Sequence, residues 1–435
     1  MNESNENEQN MTKQNERINP RTKNYLKLLM VILLGVIIID GYGSVAPIIT
    51  LSSVTDEFLA GIHPDLQSSI VAFTLAISSG GMYFLFFTQY LADKLGRKKM
   101  LAITTLGMSL ASLGMFLSMN YYTYVFSVFF LNFFVASDMW LLYVNEESDI
   151  DKRARNSNII LIGGVLGPVI AVICRLIFIQ SDNTGWRGVT LFPMILGLIM
   201  FIVILLKVKE TSKFEKIKES GMKIEKRPIK EDIKAILNME ERKSYFSLLL
   251  ISFISSTTLT WALYFERYLK ETGNVTPAEI SIMFLLGFIL SLVAFIVNAL
   301  LAERIGRKPL FMAWKFLVPI GIVMWVFGAL VPQNTFSIVM IGFFITHVCG
   351  VGAGGIMRII TIESLPTDRR GTGIGIRTFF TTLGGTIGLV LNGFVILIIG
   401  LGMTIIVFSF LSYLILPIAY FLVKETKSVD LDALK

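Results

Sequence analysis

The chain has 435 residues, 54% of them hydrophobic and only 16% charged, and its mean hydropathy is +0.67. A soluble domain carries roughly 25% charged residues, so this apolar surplus exceeds what a soluble core buries. It suits a bilayer, where each crossing helix takes about 20 apolar residues. The net charge of +7 would suit a nucleic-acid partner, but the positions of the charges argue against one. Cys174 and Cys349 lie in apolar runs and imply neither a disulfide framework nor a thiolate metal site, and His63 and His347 are too far apart in the chain for a metal cluster.

The first segment, residues 1–24, is polar, rich in Asn and Glu, and has no apolar core of the signal-peptide kind. It reads as a disordered cytoplasmic tail, and the first spanning helix then acts as an uncleaved membrane signal. Apolar runs follow at about 26–51, 66–91, 100–119, 122–144, 157–180 and 189–207. A second set falls at about 244–265, 277–302, 309–331, 336–362, 373–399 and 401–423. The pattern predicts an all-α membrane protein of twelve transmembrane helices in two six-helix bundles, spanning 25–207 and 244–424. Tight hairpins are expected around Asn120 and Gly400.

Between the bundles, 208–243 reads as a Lys-rich cytoplasmic linker. Ile229, Ile233, Ile236 and Leu237 recur there at helical spacing, which predicts a short amphipathic helix. Residues 425–435 form the second tail.

Direction follows from Lys and Arg in the short loops. One set of loops holds Lys94, Arg97, Lys98, Lys99, Lys152, Arg153, Arg155, Arg304, Arg307, Lys308, Arg369 and Arg370; the opposite set holds only Arg187, Arg267 and Lys270. The basic side is the cytoplasmic one, with both termini on it. The net charge thus reflects topology and attraction to anionic lipid, not nucleic acid.

The strongest signal is a repeat. LADKLGRKK after the second run matches LAERIGRKP after the eighth, aligning Asp93, Gly96, Arg97 and Lys98 with Glu303, Gly306, Arg307 and Lys308. Glu146 precedes Arg153 by seven residues, and Glu363 precedes Arg370 by seven. Two motifs repeated in the same order indicate an internal duplication.

These motifs resemble the major facilitator superfamily, whose loop signature falls at 89–98 and again at 299–308. Gln89 and Ala299 replace its first Gly, and Glu303 replaces its Asp. ESLPTDRRGTG (Glu363 to Gly373), VKET at 208–211 and VKETK at 423–427 are similar to its sugar-porter and organic-ion branch, and TGWRG at 184–188 is similar to a common Trp-Arg entry to the sixth helix. The resemblance implies two pseudo-symmetric bundles around a central cavity that opens to alternate sides. It makes Asp93, Arg97, Glu146, Arg153, Glu303, Arg307, Glu363 and Arg370 a cytoplasmic gate, or in part only topology signals. Such pairs are worth little when wet and more when closed off.

Charges inside apolar runs are costly and mark candidate sites. Asp40 stands about 21 Å into the first helix at 1.5 Å per residue. The DGY run there resembles the first helix of proton symporters. Their usual partner, an Arg in the fourth helix, is replaced by Asn132. Arg175, at about 27 Å in the fifth helix, is the alternative partner, and Asp40–Arg175 is the expected proton-sensitive pair, or else a structural one. His347 could titrate in the tenth helix, although a lone helix histidine is more often a packing residue.

Asp138, Arg358 and Arg377 sit one or two turns from the basic side. Asp138 is expected to meet either arginine across the cavity, where an anionic substrate would compete for those guanidinium groups. Snorkelling to the interface is the plainer reading. Ser255, Ser256, Thr257, Thr258 and Thr260 offer hydroxyls to a substrate.

GGVLGPVIA (163–171) partly matches the Gly-Pro motif of drug antiporters but reads first as close helix packing, as do GVGAGG and LGGTIG. Trp261, Tyr264, Phe265 and Tyr268 read as an interfacial aromatic belt, or alternatively as a lid.

The function expected is secondary active transport of a small organic anion or sugar-like metabolite, proton-coupled, by a monomer in the plasma membrane. A proton-coupled efflux antiporter is the alternative. A sensor on the same fold would carry a longer tail. Neither a nucleotide loop nor a nucleophile arrangement is apparent, so no enzyme activity, cofactor or metal is expected.

Overall fold

The computed structural model describes residues 23–427, apart from 85–87, 89–90, 93, 136–138, 149–155, 157–158, 161–162, 180–184, 213, 216–228, 240, 260, 273, 333–334 and 366–369. The first half holds α1 (Lys23–Phe58), α2 (Pro64–Ser79, continued by a 3-10 turn at Gly80–Phe84), α3 (Arg97–Phe116), α4 (Tyr121–Val135 and Met139–Glu147), α5 (Leu166–Phe178) and α6 (Trp186–Lys207). The second holds α7 (Arg242–Thr257 and Trp261–Thr272), α8 (Pro277–Ile305), α9 (Arg307–Gly328), α10 (Thr335–Glu363), α11 (Arg370–Ile399) and α12 (Leu401–Leu411, a 3-10 turn at Ser412–Leu414, and Ile415–Leu422). Among the described residues, nine of these twelve crossings are long and apolar enough alone to span a membrane; α2, α4 and α5 are shorter or in pieces.

Many of these helices are rich in Val, Ile and Phe, which in water lean towards strands. In lipid every backbone polar group must be satisfied within the segment, and the helix does that. The ends are set locally. Thr276 and Glu279 form a reciprocal capping box ahead of α8, with Pro277 at its first position. The Asn120 side chain accepts from Thr123 N–H at 2.9 Å and starts α4 after the expected hairpin. Gly400, at φ +77°, makes the tight reversal between α11 and α12.

The interior is apolar, and so is the outer surface, unlike that of a soluble protein. Leu206, Ile398 and Phe421 are each more than 70% exposed on the outer surface, where lipid would cover them. Buried hydroxyls turn back onto their own helices, as Thr50 does to Ala46 O and Thr346 to Gly342 O, both at 2.8 Å. Small residues let helices approach closely. A Cβ at Gly167 would lie 2.4 Å from Ile38 O and one at Gly384 2.2 Å from Phe253 O, so α5 packs on α1 and α11 on α7 backbone to backbone.

The halves meet through α2 with α11, α5 with α8, and α1 with α7. In the linker, Ile229–Asn238 is helical, and Ile236 packs with Met239, Tyr245, Leu249 and Leu365 under the second half. The aromatic cluster departs from the expected belt. Trp261, Tyr264, Phe265 and Tyr268 are all buried, and Phe265 packs on Trp325 and Phe343 with centroids 5.0 and 4.4 Å away. They plug the bundle because this part of α7 also packs on α1 of the other half.

Candidate functional site

Two matching charge networks stand on the face that carries the basic loops. In the first half, Arg97 Nη2 meets Glu146 Oε1 at 3.3 Å, and Thr211 Oγ1 donates to Glu146 Oε2 at 2.6 Å. Glu210 Oε1 accepts from the backbone N–H groups of Arg97 and Lys98 at 2.8 and 3.0 Å, capping α3. In the second half, Arg307 Nη2 meets Glu303 Oε1 at 2.7 Å and Glu363 Oε1 at 3.2 Å, while Thr426 donates to Glu363 Oε2 at 2.5 Å. Glu425 accepts from the N–H groups of Arg307 and Lys308, both at 3.0 Å, capping α9. A carboxylate at a helix N-terminus satisfies orphan donors and suits the dipole. Gly96 and Gly306, at φ +102° and +98°, leave room for it: a Cβ would stand 2.3 Å from Glu210 Oε2 or 2.6 Å from Glu425 Oε2.

Each described pair of these networks lies within one half, not between halves. On the opposite face the halves are locked together. Arg175 of α5 is fully buried and its Nη2 meets Glu266 Oε1 of α7 at 2.7 Å. Its Nε donates to Ser281 Oγ of α8 at 2.9 Å, and its Nη1 donates to Ile49 O of α1. Lys270 meets Asp56 of α1 at 2.9 Å, and Arg267 lies 3.6 Å from the same carboxylate and donates to the Gln67 side chain of α2. Arg187 meets Glu57 at 2.7 Å, which anchors α6 to the end of α1. Nearer the middle, Ser79 and Thr386 are 2.7 Å apart across α2 and α11.

Between the two faces lies a cavity of about 430 Å³ whose described lining comes from the second half. Its walls follow helical spacing: Ser252, Ser255, Ser256 and Leu259 on α7, Phe311, Lys315, Val318 and Ile322 on α9, Gly350, Gly354 and Arg358 on α10, Arg377 and Thr381 on α11. Trp261 lines it too, and Ser409 and Ser412 of α12 contribute hydroxyls.

The sequence candidates fall into this frame unevenly. The expected Asp40–Arg175 pair does not form: Arg175 is held by Glu266, Ser281 and Ile49 O, and Ile49 is nine residues along α1 from Asp40, about 13 Å. Asn132 donates to Ser78 O at 3.0 Å and ties α4 to α2. His347 packs: its Nε2 is 2.9 Å from Ser291 Oγ and its ring stacks on Phe343 at 5.6 Å. Arg358 and Arg377 share the cavity, as does Ser256, whereas Thr257 turns away and donates to Gly384 O at 2.9 Å. GVGAGG is only partly a packing surface, since a Cβ at Gly350 or Gly354 would meet nothing within 4 Å. Asp93, Asp138, Arg153, Thr260 and the side chain of Arg370 lie outside the described residues.

Four functional side chains were not singled out from the sequence. Lys315 was legible as a cation six residues into the apolar run that begins at about 309. Glu266 was visible only as a neighbour of the aromatics. Glu210 and Glu425 stood inside the repeated VKET string, and that repetition was the available signal.

The profile of the sugar (and other) transporter family matches residues 27–435. The chain belongs to that family. An arabinose-proton symporter of Bacillus subtilis (strain 168) is 22% identical to this transporter over 420 residues, covering 87% of this chain and 88% of the relative. A crystal structure of a D-xylose-proton symporter superposes with a TM-score of 0.77 at 14% identity, covering 93% of this transporter and 99% of that chain. The inward-open xylose transporter XylE of E. coli gives 0.72 at 16% identity, covering 94% and 98%. At these identities the solved structures establish the major facilitator fold of the transporter.

Proposed function

We propose that the chain is a proton-coupled secondary symporter that carries a small organic solute across the plasma membrane by alternating access. The observation that supports this most is the asymmetry of the charge networks. A buried ion pair, Arg175–Glu266, joins the halves on one face, while the described pairs on the basic face stay within each half. A protein that rocks between two states needs locks that bridge its halves on one face at a time. Here the bridged face is read as extracellular and the basic face as cytoplasmic, with 1–24, 208–243 and 425–435 on the cytoplasmic side. The state is thus inward-facing, and the gate residues of the basic face would exchange partners across the halves in the other state.

Proton coupling draws its support from relatives whose names describe proton symporters and from Asp40, a carboxylate about midway along α1. We read Asp40 as the proton carrier and the monomer as the working unit. The test is solute-induced pH change. Adding a transported solute to de-energised cells in lightly buffered medium should raise the external pH, and Asp40→Asn should abolish the rise without abolishing solute exchange. Uptake with no pH change would overturn the coupling.

A further inference from the structure

The lining of the cavity carries three cations and, among its described residues, no acid. Lys315 is 9% exposed and its Nζ bonds the Ser255 hydroxyl, a neutral partner. Arg358 and Arg377 face the same space, and no described Asp or Glu forms an ion pair with any of the three. Placing a cation in a low-dielectric interior without a counter-charge is costly. Three in one cavity also repel each other. A neutral solute does nothing to relieve that cost, and an anion does.

The cations are spaced in depth. Counting from the basic-face ends of their helices, Arg358 is five residues in, Arg377 seven and Lys315 eight, or about 8, 10 and 12 Å. An anion entering from that face meets the two guanidinium groups first, whose planar forks suit a carboxylate, and then the ammonium. Gly350 and Gly354 extend the face of α10 beyond Arg358 and present no side chain, which leaves room for the body of a solute. Hydroxyls of Ser256, Thr258, Thr381 and Ser409 line the rest of that room and suit a solute bearing hydroxyls of its own.

We infer that this cavity binds a hydroxylated organic carboxylate, of the sugar-acid kind, and not a neutral sugar, with Lys315, Arg358 and Arg377 as its anion-binding residues. This rests on the transport reading for its physiological meaning but not for its binding chemistry. The probes are glucuronate, glucose and glucose 6-phosphate, first in thermal unfolding of the purified full chain. Glucuronate should raise the melting temperature, and glucose at the same concentration should not. Lys315→Met should melt no lower than the parent without ligand, because it removes a buried charge whose described partner is a neutral hydroxyl. It should weaken glucuronate binding about 10- to 100-fold, the worth of one charged hydrogen bond. Lys315→Arg should restore most of that binding.

Equal stabilisation by glucose, or parental glucuronate affinity in Lys315→Met, overturns the inference. Tighter binding of glucose 6-phosphate than of glucuronate overturns the carboxylate assignment in favour of a phosphate ester. In proteoliposomes, proton-driven uptake of glucose but not glucuronate sinks the anion site and leaves the transport reading standing. Glucuronate binding that depends on Lys315, with no proton-driven uptake of any of the probes, supports the anion site and sinks the transport reading instead.

Discussion

Replacing Glu266 by Gln tests the lock between the halves. The side chains of Arg175 and Glu266 are 0% and 4% exposed and 2.7 Å apart, so water screens the pair little. Breaking a buried pair by removing one partner costs about 3–5 kcal/mol. Gln keeps an acceptor for Arg175, and Ser281 and Ile49 O still hold the guanidinium. The loss therefore falls near or somewhat below the lower end, about 2–3 kcal/mol, which is roughly 30- to 150-fold in an equilibrium constant. All of it acts on the state in which α5 and α7 touch. The assay is a distance distribution between spin labels at Met119 and Leu330, exposed positions of the two halves in loops on the face that Arg175–Glu266 bridges, after replacement of Cys174 and Cys349. Glu266→Gln should move population from the short distance to a longer one. Combining it with Arg175→Met should shift the population by less than the sum of the single changes, since both remove the same bond. An unchanged distribution in Glu266→Gln would refute the lock.

Three further outcomes follow from the same contacts. Glu425→Ala removes the acceptor for two N–H groups of α9 and should destabilise the chain by about 1–2 kcal/mol, read as a lower melting temperature; Glu210→Ala should do the same for α3, and the two losses should add because the sites are distant. Gly167→Val drives a side chain against the α1 backbone at Ile38 and Tyr42, so it should cost about 1–3 kcal/mol and lower the yield of folded protein; a parental melting curve would show the helices are not in close contact. His347→Phe keeps the stack on Phe343 and leaves Ser291 its bond to Gly287 O, so the pH profile of transport should not move; a shifted profile would return His347 to the coupling machinery.

Much of this architecture was legible because lipid imposes one rule on every crossing, and the apolar runs report it directly. Asn120 and Gly400, marked as hairpins, are a helix cap and a positive-φ turn. The charge networks of the basic face were legible as residues, since the motif recurs. Their partners were not: Glu210 and Glu425 act on N–H groups more than a hundred residues away, and a linear pattern carries no such distance. Arg175 misled for a related reason. Counting residues from the basic ends of the two helices sets it about one helical turn from Asp40, whereas its Nη1 reaches Ile49 O, nine residues further along α1, and Glu266 claims it from the other half. The aromatic group of α7 reads from the sequence as an interfacial belt because aromatic residues near a helix end usually lie at the interface. Here the helix end is covered by the opposite half.

A proton gradient is proposed to drive a small solute through this chain. Proteoliposomes containing the purified protein, loaded at pH 8 and diluted into pH 6, test it most directly against a panel of sugars and sugar acids. The expected result is transient accumulation of a panel solute above its external concentration, abolished by a protonophore and absent in Asp40→Asn. Uptake that stops at equilibration and ignores the protonophore would contradict it.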